Sequence, residues 1–94
     1  MNHYLILHRG FKKPSTEEMA AWKNWFELIK DKQVDRGGLR DGLKVTETGS
    51  EELPFGGDSL TGYTIIKAQD LDEAKEIAAQ CPIVTSTQIY QIHK

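Results

Sequence analysis

Leu60-Thr61-Gly62-Tyr63-Thr64-Ile65-Ile66-Lys67-Ala68, followed at once by Asp70-Leu71-Asp72-Glu73, is a strand that runs into the start of a helix. The strand portion is rich in β-branched and aromatic side chains. Asp70 is placed to cap a helix, with Glu73 at its third position. Leu71, Ala74, Ile77 and Ala78 then share one apolar face, Cys81 extends the same period, and Pro82 stops the helix. The small alanines let that helix lie close on a sheet. The same grammar occurs earlier in the chain. His3–Arg9 (His-Tyr-Leu-Ile-Leu-His-Arg) reads as a strand ended by Gly10, and Ser15 and Glu18 form an S-x-x-E capping box. Met19, Trp22, Phe26 and Ile29, with Trp25 on their flank, span an arc of about 120° on a helical wheel. This predicts a helix from Thr16 to about Gln33, with Met19 in the core.

Between these two units, Gly37, Gly38 and Gly42 punctuate a stretch that reads as one irregular or bulged strand, Gly38 to Thr46. Thr48 to Asp58 reads as a loop, the natural candidate for a mobile or ligand-facing segment. Thr85–His93 closes the chain as a strand. Strand, helix, strand, strand, helix, strand is the order of a ferredoxin-like βαββαβ protomer of the α+β class. In that topology both helices cover one face of the sheet. The first strand is apolar on both sides, Tyr4 and Ile6 against Leu5 and Leu7, and so expects cover on both. A second copy, sheet face against sheet face, is the economical cover for the helix-free side, which predicts a homodimer.

Ninety-four residues make a single domain, residues 1–94, the expected organisation. A hydrophobic share of 38% with 28% charged residues argues against disorder. The net charge of −2 argues against a nucleic-acid partner, which is ordinarily met with a basic surplus. The longest uninterrupted apolar run, Tyr4 to Leu7, is far too short to span a membrane, and His3 stands where a signal peptide needs basic and then apolar residues. A cytoplasmic protein with no membrane partner is expected. Cys81 is the only cysteine, so no internal disulfide or Cys-x-x-Cys site exists. The phosphate-binding fingerprints and the G-x-S-x-G elbow are missing, and no cofactor and no metal are expected.

The chemistry-bearing residues each carry two readings. His8 and Arg9 end the first strand, where an imidazole and a guanidinium can bind an anion and move a proton, or simply reach solvent. On an ideal strand they point to opposite faces, so one pocket takes only one of them. Trp22 and Trp25 either wall an apolar ligand pocket or belong to the core. Asp58, after Phe55-Gly56-Gly57, is a turn former or a general acid–base. Cys81 has no basic neighbour in sequence and reads as a buried structural thiol rather than a nucleophile. His3 and His93 lack a third ligand for a metal.

Taken in order, Leu5-Ile6-Leu7-His8-Arg9, Pro14-Ser15-x-Glu17-x-Met19-x-x-Trp22, Leu53-Pro54-Phe55, Gly62-Tyr63, Asp70-Leu71-Asp72-Glu73-Ala74 and Cys81-Pro82-Ile83 resemble the YCII-related proteins, and among them the DGPF-domain branch. The resemblance runs through nearly the whole chain. It implies a dimeric α/β barrel built from ferredoxin-like protomers. Two departures bear on chemistry. Glu52-Leu53-Pro54-Phe55 stands where the branch has Asp-Gly-Pro-Phe. The His early in the first helix and the Asp before the later Pro, which suggested acid–base work in the YCII branch, are absent, and Cys81 precedes Pro82 instead. The expected function is a small-molecule-binding homodimer with a cofactor-free proton-transfer activity. His8 or Asp58 would be the catalytic group, and Arg9, Trp22, Trp25, Phe55 and Tyr63 would bind a small organic molecule. The alternative is a non-catalytic ligand-binding or accessory dimer.

Overall fold

The computed structural model describes residues 1–94 as eight elements: β1 (Asn2–Arg9), α1 (Thr16–Ile29), β2 (Gln33–Gly38), β3 (Leu43–Thr46), β4 (Gly49–Glu52), β5 (Leu60–Ala68), α2 (Leu71–Ala78) and β6 (Ser86–Gln91). Four strands pair antiparallel in the order β2-β5-β1-β6, and β3 and β4 form a separate two-stranded ribbon. With the ribbon set aside, this is the βαββαβ order of a ferredoxin-like protomer. No helix is long and apolar enough to cross a membrane.

Strand parity sorts the side chains into two layers. Tyr4, Ile6 and His8 of β1 lie in register with Ile66, Thr64 and Gly62 of β5, on the face the helices cover. Leu5, Leu7 and Arg9 lie opposite Ile65, Tyr63 and Leu60 on the other face. The register slips between His8 and Arg9, where Thr61 is the extra residue of a bulge, and its hydroxyl donates to the His8 carbonyl oxygen at 3.3 Å. The core is made by Tyr4, Ile6, Ile66 and Ala68 beneath Trp25 and Ile29 of α1 and Ala74, Ile77 and Ala78 of α2, with Cys81 closing it.

Both helices begin as their caps dictate. The Ser15 hydroxyl accepts from the Glu18 amide at 3.1 Å, and the Asp70 carboxylate accepts from the Glu73 amide at 2.9 Å. The buried face of α1 is centred on Trp25 and Ile29, about 60° round the helix from the expected Met19/Trp22/Phe26/Ile29 centre at 100° per residue. Trp25, placed on the flank, is 2% exposed, while Met19, placed in the core, is 55% exposed. Trp22 and Phe26 are half-buried between them. Trp25 also donates its indole N–H to the Ile77 carbonyl oxygen at 2.9 Å, joining α1 to α2. The helix stops at Ile29, short of Gln33, because its apolar period ends there and Gln33 already pairs with β5. Leu71, in the first turn of α2, is exposed rather than packed.

The stretch read as one strand, Gly38 to Thr46, is the end of β2 and the whole of β3, separated by a turn in which Asp41 takes a φ of 54°. Asp tolerates that left-handed geometry, and it directs the chain out of the sheet. The stretch read as a loop, Thr48 to Asp58, contains β4, which pairs with β3 through a tight turn where Thr46 Oγ1 donates to the Gly49 carbonyl oxygen at 3.3 Å. Gly-Ser-Glu-Glu has little strand propensity of its own, so only the pairing reveals it. The closing strand is Ser86–Gln91, shorter at both ends than Thr85–His93.

Candidate functional site

A cleft of about 590 Å³ opens between α1 and the sheet. It exists because two elements withdraw from each other there. On the sheet side, Gly38 of β2 is paired with Gly62 of β5, and Gly62 is in turn paired with His8, so two neighbouring inward positions carry no side chain. A Cβ placed at Gly38 would meet no atom nearer than 4.0 Å. On the helix side, the edge of α1 bearing Met19, Trp22 and Phe26 borders the opening while Trp25 and Ile29 hold the core. Phe11 adds a third aromatic wall, set there by the sharp exit of β1 through Gly10, whose φ of 109° excludes other residues.

His8 lies on the floor. It is 8% exposed, its Nε2 sits 3.0 Å from Thr64 Oγ1, and its Nδ1 is buried without a partner. Trp22 and Trp25 meet the ring edge-on at centroid distances of 5.1 and 5.7 Å. Burial pushes the His8 pKa down to about 4, so the ring is neutral at pH 7, with one N–H donor and one acceptor nitrogen. The rim carries charge. Arg36 lays its guanidinium over Phe26, 4.0 Å from the ring centroid, and pairs with no carboxylate. Lys12, also on the rim, is paired with Glu18 at 3.3 Å.

The structure brings only some of the expected residues together. His8 and Trp22 share the cleft, whereas Trp25 stands behind it in the core. Tyr63 borders the cleft, but it pairs with Leu7 on the opposite sheet face, where its hydroxyl donates to Asp35 Oδ2 at 3.0 Å. That hydrogen bond, with some burial and the carboxylate's charge, raises the phenol's pKa and keeps it protonated. Arg9, Phe55 and Asp58 line a second cavity of about 560 Å³, apart from His8. There Arg9 Nη1 donates to the main-chain oxygen of Asp58 at 3.0 Å, which ties the strand end to a turn. Phe55 reaches the cleft only through Phe11, 4.8 Å between ring centroids. His8 and Asp58 therefore do not form an acid–base pair. Cys81 is buried, and burial raises its pKa, so its thiol is not activated.

Arg36, Phe11 and Thr64 were not foreseen. Thr64 shares the inward parity of Ile66 and Ala68, and a polar residue in that series is a legible signal. Arg36 fell outside the expected strand and so had no assigned face.

Sheet order and two helices on one face define a ferredoxin-like α+β protomer. A solved structure shares that fold: a 5-chloro-2-hydroxyhydroquinone dehydrochlorinase from Burkholderia phenoliruptrix, in complex with 2,5-dihydroxybenzoquinone, matches over 97% of this chain and 93% of its own, with a TM-score of 0.61 and 18% identity. No family model matches the chain, and no curated protein does.

Proposed function

We propose that this chain is a small-molecule-binding protein related to the YCII proteins, acting as a homodimer, and that its ligand is a flat, oxygenated aromatic or quinoid anion. One observation carries the reading: His8, buried and with an unpartnered Nδ1, lines an aromatic-walled cleft together with Arg36, whose guanidinium has no counter-ion. A buried polar atom without a partner costs free energy that a ligand hydroxyl or carbonyl would recover. Aromatic walls suit a flat ring, and Arg36 suits its negative charge. The quinoid molecule bound by the solved dehydrochlorinase is of this kind, which supports the choice of class.

A proton-transfer activity at this site rests on His8. With a pKa near 4 it is a weak base in the free protein. An anion bound beside it raises that pKa, so ligand binding and proton uptake by His8 are linked. The second reading, a non-catalytic binding dimer, is favoured by the separation of Asp58 from His8.

Titration calorimetry with 2,5-dihydroxybenzoquinone as probe tests the site. Binding is expected, with affinity falling at least tenfold in Arg36→Ala and in His8→Gln and unchanged in Arg9→Ala. No heat at millimolar probe removes the ligand class, and a loss confined to Arg9→Ala moves the site to the second cavity.

A further inference from the structure

Two hydrogens and one hydrogen bond meet where His8 and Thr64 line the cleft. A neutral imidazole carries one N–H and a threonine hydroxyl one O–H. His8 Nε2 and Thr64 Oγ1 lie 3.0 Å apart, and that contact uses one of the two hydrogens. Water does not reach the other. Thr64 is 0% exposed, His8 is 8% exposed, and His8 Nδ1 is buried without a partner.

The two ways of sharing the hydrogens differ in what they leave unpaired. If Nε2 holds the ring proton and donates to Thr64 Oγ1, the hydroxyl hydrogen has no acceptor and Nδ1 is a bare acceptor with no donor. If Thr64 donates to Nε2, the ring proton sits on Nδ1 and only that N–H goes unpaired. Each buried polar group without a partner costs free energy, so the second arrangement is the lower one. The hydrogen bond made by one ring nitrogen decides which form the other takes. His8 Nδ1 is a donor.

Strand register sets a second donor close by. Thr64 of β5 is in register with Arg36 of β2, and Gly62 of β5 is in register with His8 of β1. Register partners share a sheet face, so Arg36 and Thr64 stand in one inward row and His8 in the next. A guanidinium donates and never accepts, and no carboxylate pairs with this one. His8 and Arg36 both line the cleft, and both have hydrogens to give.

We infer that Thr64 is the positioning residue of this site: its hydroxyl fixes His8 in the Nδ1–H form, and the cleft thereby selects a ligand oxygen that accepts, a carbonyl or an oxyanion, over a hydroxyl that donates. This rests on the reading of the cleft as a ligand site and narrows the ligand group that meets Nδ1. Thr64 acts through His8. Its inward neighbours along β5, Ile66 and Ala68, are apolar and buried, and a valine there would have a similar shape but no hydrogen to give.

Long-range proton–nitrogen NMR near neutral pH tests the assignment, with the His8 signals identified by their loss in His8→Gln. In the parent chain Nε2 is expected to be the unprotonated nitrogen and Nδ1 the protonated one. Thr64→Val frees Nε2 to take the proton, so the Nε2–H form is expected to appear. Its affinity for 2,5-dihydroxybenzoquinone is expected to fall about tenfold in titration calorimetry. Thr64→Ser keeps the hydroxyl and is expected to keep the parent spectrum, with affinity within about twofold. A threonine that only fills space would leave the tautomer unmoved in Thr64→Val. A parent chain in the Nε2–H form, a reading that needs no variant to fold, overturns the inference and leaves the ligand site standing. Bound probe that leaves the Nδ1 signal unshifted does the same. An Nδ1–H parent chain that binds no probe at millimolar concentration overturns the ligand reading and the selection with it.

Discussion

His8 is held neutral by burial, packed against Trp22 and Trp25 with little water around it. Its folded-state pKa is near 4 against 6.5 for the free side chain. Between those values the unfolded chain binds the proton and the folded chain does not, so stability rises with pH there. The contribution is fully present above about pH 6.5 and is lost as the pH falls toward 4. The urea midpoint, measured at fixed protein concentration, is expected to be level above pH 6.5 and to decline below it. His8→Gln should flatten that upper part of the decline. A wild-type midpoint that stays level from pH 6.5 to 5 would place the imidazole in water.

At the scale of elements, α1 divides one apolar arc between two tasks. Its Trp25/Ile29 edge fills the core, and its Met19/Trp22/Phe26 edge walls the cleft. Trp25→Ala should cost about 3–5 kcal/mol, since a buried indole and its hydrogen bond to Ile77 are both lost. Met19→Ala should stay within about 0.5 kcal/mol, because that side chain is mostly in water. Equal losses in urea melts would return the helix to the orientation expected from its wheel. The sequence shows an amphipathic arc but cannot show which of its edges meets the sheet, because the withdrawal at Gly38 and Gly62 depends on pairing between distant strands. The start of each helix and the β1 and β5 strands were legible, since capping and strand propensity are local. β2 and the ribbon were not. Asp41 breaks the chain with a backbone conformation rather than a recognisable motif, and β4 is a strand only because β3 is beside it. That misplacement hid Arg36, while His8 and Trp22 remained visible because β1 and the head of α1 were placed correctly.

For the whole molecule, only 13 of 94 residues are buried, which is a small core for a chain of this length. Its radius of gyration of 14.4 Å exceeds the roughly 12.4 Å expected for a compact domain of the same size. Leu5, Leu7 and Ile65 are half-buried on the helix-free face, and Tyr90, in register with Leu5, is 56% exposed. Both observations fit a protomer whose second apolar layer is supplied by another chain. Leu7 lies between Tyr63 and Gln88 near the middle of that face. Leu7→Lys should weaken dimerisation at least a hundredfold, because an unpaired charge in a dry interface costs several kcal/mol. Ala79→Lys, on the exposed side after α2, should leave association unchanged. The cleft opens on the other side of the same sheet, between β1, β5 and α1. Monomeric Leu7→Lys should therefore still take up 2,5-dihydroxybenzoquinone with an affinity within a few-fold of the parent chain. If monomerisation abolishes binding while far-UV circular dichroism shows the fold intact, the two faces are coupled and the ligand site needs the second copy. If Leu7→Lys dimerises as tightly as the parent, the interface lies elsewhere.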